Sequence, residues 1–272
     1  MSYLVAGLIR LGVVGLAGIG VVVAALVVTA AVARRQGRFA VVDATWPLLF
    51  VLVAWASVVA GEGSARSWLL AGLTTVWGGR LAWHLVGRLR GAGEDPRYPE
   101  LLEDVPRERR FTVALRKVFL TQGVVAWFVA LPLMVAGTTD EPLGPVAALG
   151  TLVWLVGLLS EAIGDAQLKA FEADPTTRGT VTDRGLWAWT RHPNYFGDAC
   201  VWWGLWLIAA EAWPGVLTVL SPVVMTYVLA FAFAFAFATG ARLLERRMAD
   251  RPGYPDYTER TSMFFPRPPK RP

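Results

Sequence analysis

Long apolar stretches alternate with short basic ones along this chain. Residues 11–33 carry no charge at all, and a helix of about 20 apolar residues crosses a hydrocarbon core of roughly 30 Å. Predominantly apolar runs that make further candidate spans occupy 41–60, 68–86, 111–136, 146–170, 195–212 and 216–238. Glycine and proline clusters separate several of them: Gly61-Glu62-Gly63, the Asp-Glu-Pro-Leu-Gly-Pro run at 140–145, and Trp213-Pro214-Gly215. The pattern predicts an all-α fold, an integral membrane bundle of seven transmembrane helices forming a single membrane domain over 1–272.

Composition agrees with a lipid-embedded chain. Of 272 residues, 55% are hydrophobic and only 17% charged, with a mean hydropathy of +0.46, whereas water-soluble domains carry nearer a quarter charged residues. Intrinsic disorder as the overall state is excluded, since it requires low hydrophobicity. One cysteine excludes an intramolecular disulfide framework, and two histidines with a lone cysteine argue against a zinc site, so no metal is expected. The net charge of +5 reflects membrane orientation and not nucleic acid binding, because the arginines lie between apolar runs. With the N-terminus outside, the outer segments hold Arg10 and Arg66 as their basic residues, and the rest of the 26 Lys and Arg fall on the inner side. The positive-inside rule then places the C-terminus in the cytoplasm. The expected location is a bacterial inner (plasma) membrane, with membrane lipids as partners.

Two features invite over-reading. The Phe-Ala repeat at 231–238 has a strand-like period, but a lone strand cannot satisfy its backbone in lipid, so a helix with aromatic ridges is expected. Gly12, Gly15, Gly18 and Gly20 suggest close helix approach. Neither a strand-linked GxGxxG nor a GxxxxGK[ST] run is present, so any dinucleotide is bound without a Rossmann domain.

Ionisable groups at membrane depth cost about 2.5–3.5 kcal/mol each, which makes them functional candidates. Asp43 stands near the inner end of the second span. Trp77, Arg80, His84 and Arg88 follow one helical face of the third. Glu161, Asp165 and Lys169 step by four along the fifth; Asn194 and Asp198 open the sixth; Arg242 and Arg246 follow the seventh, with Glu245 beside them. Their common level predicts a polar cavity opening to the cytoplasm. The loop at 171–197 adds Arg178, Arg184, Arg191 and His192 among glycines. Guanidinium forks match phosphate oxygens bidentately, so a polyphosphate ligand suits this loop.

The run DRGLWAWTRHPNYFGDACVWWGLWLI, preceded by EAIGDAQLKAFEADP and followed by PGYPDYTERTSMFFP, resembles the DUF1295 family. So do Val-Asp-Ala-Thr-Trp at 42–46 and Glu-Asp-Pro-Arg-Tyr at 94–98. That family looks related to the steroid 5α-reductases, within a group that includes sterol reductases and isoprenylcysteine methyltransferases. The resemblance covers about 40–266, a steroid-5α-reductase-like region, with 239–272 as a cytoplasmic tail completing a cofactor site.

The resemblance implies a membrane reductase holding NADPH in a cytoplasm-facing cavity. It assigns cofactor contacts to Asn194, Asp198, Asp165, Arg242, Arg246 and Tyr257. Arg178, Arg184, Lys169, His192 and Tyr195 join them from the basic loop and its flanks. By spacing, Asp43 and Trp77 fall where steroid reductases carry a catalytic glutamate and tyrosine. Asp keeps the carboxyl with a shorter reach, while Trp keeps a donor and loses the acidic hydroxyl. Burial without a fixed cation would favour a neutral Asp43 able to hydrogen-bond an enolate oxygen. The implied reaction is NADPH-dependent reduction of a carbonyl-conjugated C=C bond in a lipophilic steroid- or isoprenoid-like substrate entering from the bilayer. The alternative is an S-adenosylmethionine-dependent methyltransferase of the isoprenylcysteine type.

Overall fold

The structure, a computed structural model, describes residues 2–90, 93–231, 245–246 and 248–270. Its main helices are α1 (Ser2–Gln36), α2 (Val41–Ala60), α3 (Ala65–Leu89), α4 (Arg97–Leu101), α5 (Arg107–Ala114), α6 (Thr121–Val129), α7 (Leu131–Ala136), α8 (Pro145–Ala173), α9 (Pro193–Ala210), α10 (Leu220–Phe231) and α11 (Tyr254–Arg260). Among the described residues there is no strand, only a parallel bridge between Thr190 and Ser262. Among the described residues, four helical stretches are long and apolar enough to cross a membrane: Val5–Gln36, Val41–Ala60, Arg107–Val129 and Pro145–Ala173. Along α1, Leu8, Leu16, Val27 and Val28 are exposed, as lipid-facing side chains of an integral membrane protein are. Helix α3 carries Arg66, Arg80 and Arg88 and is less apolar; α9 opens on Asn194 and Asp198. The expected fourth span is interrupted twice. A π-helical turn fills Leu115–Leu120, and the helix breaks at Ala130 before Pro132, which has no N–H to continue it. Most of the Phe-Ala repeat lies outside the described residues.

The chain forms two compact units. The first comprises Met1–Ala148 with Leu205–Ser221. In it α2 is packed by α1, α3, α6 and α7. A Cβ on Gly78 would meet the Pro47 carbonyl at 2.9 Å, so glycine is what lets α3 lie on α2. Lipid provides no hydrophobic drive between helices, so such close packing and polar pairs hold the unit. Arg66 is an example. Expected as an outer-loop charge, it is fully buried at the start of α3 and donates to the carbonyls of Pro142 (2.8 Å) and Ile208 and to Glu211 (3.1 Å). Glu211 in turn accepts from the amides of Gly144, Val146 and Ala147 at the first turn of α8.

The second unit comprises Leu149–Gly204 with Pro222–Pro272. Here α8 and α9 pack backbone to backbone along a glycine seam. A Cβ on Gly157 would fall 2.5 Å from the Gly197 carbonyl, and one on Gly204 2.6 Å from the Gly150 carbonyl. Gly150, Gly157 and Gly164 recur every seven residues on α8, and Gly197 and Gly204 match them on α9. The glycines singled out on α1 behave differently. Gly12 and Gly20 face nothing within 4 Å and Gly15 barely touches Trp127, while Gly18 alone of the four is tight, against Met134.

Candidate functional site

In the first unit, the two short runs at 42–46 and 94–98 fold against each other. Glu94 accepts from the amides of Phe39 and Ala40 and so satisfies the otherwise bare N-terminus of α2. Arg38 donates to the carbonyls of Leu89 and Gly93, fixing the same corner. In the first turn of α2, Asp43 accepts from the Tyr98 hydroxyl at 2.7 Å and from Arg97 Nη2 at 2.7 Å. Arg97 is also held by Asp95 at 2.8 Å. Burial works against the Arg97 charge, but Asp95 and Asp43 more than offset it and keep the guanidinium above its ordinary pKa. Burial and the adjacent Asp43 likewise raise the Tyr98 phenol, which stays a donor.

Asp43 therefore has a fixed cation beside it, contrary to the expectation of an uncompensated buried acid. Sequence reasoning missed Arg97 and Tyr98 as its partners. The signal was present in the 94–98 run, since a carboxyl near the end of an apolar span needs a donor and a cation from some loop. A cavity of about 340 Å³ opens beside this cluster, lined by Asp43, Arg97, Glu94, Arg88, Leu85 and Leu89 among others. Trp77 does not line it. Its ring is fully buried and packs on Phe50 (centroids 5.8 Å apart), seven residues along α2 from Asp43.

In the second unit, the run at 190–198 carries most of the expected ligand residues. Asn194 donates to Asp165 at 3.1 Å, bridging α9 to α8. Asp165 and Asp198 are buried, Lys169, Arg178 and Arg184 exposed. His192 approaches Glu245 at 3.3 Å and stacks on Tyr195, with ring centroids 5.6 Å apart. Arg191 donates to Glu245 at 2.7 Å and to the carbonyls of Thr258 and Thr261. Burial would raise the Glu245 carboxyl, but His192 and Arg191 together hold it below the usual glutamate value. Tyr257 is buried, and its hydroxyl donates to the Trp187 carbonyl at 2.6 Å. That hydroxyl braces the loop instead of facing open space. Burial also raises Tyr257 above the ordinary phenol range. Arg246 is exposed and lines an open groove of about 540 Å³ with Glu245, Tyr254, Thr258 and Met263. Arg242 lies outside the described residues. Arg191, expected with the basic loop as a phosphate ligand, is committed to Glu245 and to two backbone carbonyls, and this pairing joins the 190–198 run to the segment that carries Arg246.

Among the described residues no group of three or more His, Cys, Asp or Glu side chains could hold a metal ion. Comparison with curated proteins and with solved structures gives no significant match. The family model DUF1295, described as a protein of unknown function, matches residues 29–261, and with that share of its length the chain belongs to the DUF1295 family.

Proposed function

We propose that the protein is a membrane-embedded reductase that uses NADPH on a carbonyl-conjugated C=C bond of a lipophilic substrate. In this reading the chain crosses a bacterial inner membrane seven times with its N-terminus outside. Both basic residues of the outer segments are paired with acids, Arg10 with Glu62 and Arg66 with Glu211, so in this reading the net positive charge lies on the inner side.

The observation that carries the reading is the Asp43–Arg97–Tyr98 cluster on the wall of a cavity at the end of an apolar helix. Such a cluster supports the reading because fixed donors can stabilise negative charge developing on a carbonyl, and lipid beside it can deliver substrate. Arg97 lines the cavity and is held by Asp43; in this reading it is the cation that stabilises a developing enolate oxygen, and Asp43 orients it. The residues of the second unit fit a phosphate-rich cofactor. Arg178, Arg184 and Lys169 are exposed cations for its phosphates, and Asn194 is anchored by Asp165 within the same unit. The hydride is supplied by NADPH when it is bound.

Fluorescence titration of the purified protein with NADPH and with S-adenosylmethionine tests this reading. Saturable quenching by NADPH with none by S-adenosylmethionine is the expected result. The reverse would establish the methyltransferase alternative, and binding of neither would sink both.

A further inference from the structure

The second unit presents an aromatic and basic surface that no step of the proposed reaction uses. The chain after α11 runs back along the 189–191 segment. Arg191 N donates to the Ser262 carbonyl at 2.9 Å, Arg267 N to the Trp189 carbonyl at 2.9 Å, and the Thr190 hydroxyl to the Phe264 carbonyl at 2.9 Å. Phe264 is buried in this joint, against Phe196 in the first turn of α9. Phe265 and Trp189 are not: they keep 63% and 48% of their surface exposed. Pro266, Arg267, Pro268, Pro269 and Lys270 continue the exposed edge. Two large aromatic rings turned outward beside basic residues need an environment that is apolar at one side and charged at the other.

Helix α8 fixes the depth of this surface. Its lipid-facing residues Leu152, Val156, Leu159 and Ile163 are exposed, and Ile163 is followed by the exposed Lys169 on the way to Ala173. The boundary between hydrocarbon and water therefore lies between Ile163 and Lys169 on that helix. Within this window Gly164 accepts from Trp187 Nε1 at 3.0 Å, and Gln167 accepts from the Leu186 amide at 3.0 Å. A Cβ on Gly164 would touch the Pro193 ring, so the start of α9 sits at the same level. Trp189, two residues beyond Trp187, and Phe265 beside Phe196 are thus placed at headgroup depth.

We propose that the segment 261–270 is an interfacial strap seated in the lipid headgroups at the Ala173 end of α8, with an anionic bilayer surface as its partner. Trp189 and Phe265 occupy the interface, as amphipathic and aromatic rings do, and Arg267 and Lys270 meet lipid phosphates. The strap is hydrogen-bonded to the residues just before His192 and Asn194, so lipid contact steadies that run from outside.

The test uses the full chain with Cys200→Ser and a nitroxide or fluorophore on Phe265→Cys, reconstituted in phosphatidylcholine–phosphatidylglycerol vesicles. A second variant, Trp189→Cys, guards against local misfolding, and Thr180→Cys on the exposed loop is the aqueous reference. Both strap labels should be reached by headgroup-level lipid quenchers and shielded from a water-soluble quencher relative to Thr180. Replacing phosphatidylglycerol by phosphatidylcholine should shift them toward water, and Arg267→Gln with Lys270→Gln should remove that difference between the two lipids. Strap labels as open to the aqueous quencher as Thr180 would overturn the proposal. So would label–label coupling that disappears on dilution with unlabelled protein, since a second copy of the chain would then cover the patch.

Discussion

Tyr98 donates its hydroxyl to Asp43 at 2.7 Å across 55 positions of chain, joining the short helix α4 to the first turn of α2. Arg97 completes the contact, and the partners are not equivalent. Arg97 retains Asp95 if Asp43 is neutralised, whereas Asp43 loses its paired cation if Arg97 is removed. Breaking a fully buried pair costs about 3–5 kcal/mol. With 17% and 22% of the two side chains exposed, about 1–3 kcal/mol is the expected cost of Arg97→Met. Asp43→Asn should cost less. Thermal melts of the two variants in detergent check the order; equal losses would contradict the asymmetry.

Turnover separates the same residues differently. In the proposed reaction Asp43→Asn loosens the group that orients Arg97, and loss of positioned acid–base or electrostatic assistance lowers rates by about 10²–10⁴-fold. NADPH affinity should remain that of the parent, because none of the expected phosphate contacts involves Asp43. An Asp43→Asn protein that binds NADPH normally and turns over normally would remove Asp43 from the chemistry.

The glycine seam gives a test independent of function. At Gly157 a Cβ would meet the Gly197 carbonyl at 2.5 Å and the Val201 amide at 2.6 Å, and backbone on both sides cannot yield. Overpacking of this kind typically costs about 1–3 kcal/mol, so Gly157→Ala should melt well below the parent. At Gly20, with nothing within 4 Å, alanine gains roughly 1 kcal/mol of helix propensity, and the variant should be at least as stable. Melting curves that rank the two the other way would show that α8 and α9 do not touch here.

What could be read beforehand follows from the range of each signal. Apolar runs are local, and Val41–Ala60 matches its expected span to the residue. Helix interruptions are less visible: Pro132 marks one in the sequence, whereas the π-turn at Leu115–Leu120 leaves no residue signature. Gly12 and Gly157 look alike in sequence because the difference lies in what stands opposite each. The polar site was legible as a list of groups and not as pairs. Asp43 was recognisable as a costly residue, but its cation lies 54 positions away in a loop. Arg66 was counted with the outer charges, and its burial depends on Ile208, Glu211 and Pro142 converging on it.

Acid should loosen the contact between the 190–198 run and Glu245. Burial opposes the Glu245 charge, but His192 and Arg191 hold its folded pKa below the ordinary 4.5. A depressed carboxylate contributes stability that is fully present above its unfolded value and is lost as pH falls through the folded one. The protein should therefore lose melting temperature on acidification below the ordinary glutamate range. Glu245→Gln should start lower at neutral pH and respond less to acid. Parallel pH profiles for parent and variant would show that this ion pair contributes nothing to stability.

The residues expected to hold the cofactor should divide into those that touch it and those that support the loop. Arg184 is exposed in the second unit at the start of the Gly185–Ala188 turn, with its guanidinium available to a phosphate. One charge-assisted contact contributes about 1.5–3 kcal/mol, so Arg184→Ala should weaken NADPH binding by roughly one to two orders of magnitude while leaving the melt unchanged. Tyr257 has the opposite character, since its hydroxyl is committed to the Trp187 carbonyl in a buried joint. Tyr257→Phe strands that carbonyl and should cost about 1–3 kcal/mol of stability, with the smaller effect on NADPH affinity. Titration and melting of both variants decide the matter. If Tyr257→Phe loses affinity as steeply as Arg184→Ala and melts like the parent, its hydroxyl belongs to the cofactor and not to the loop.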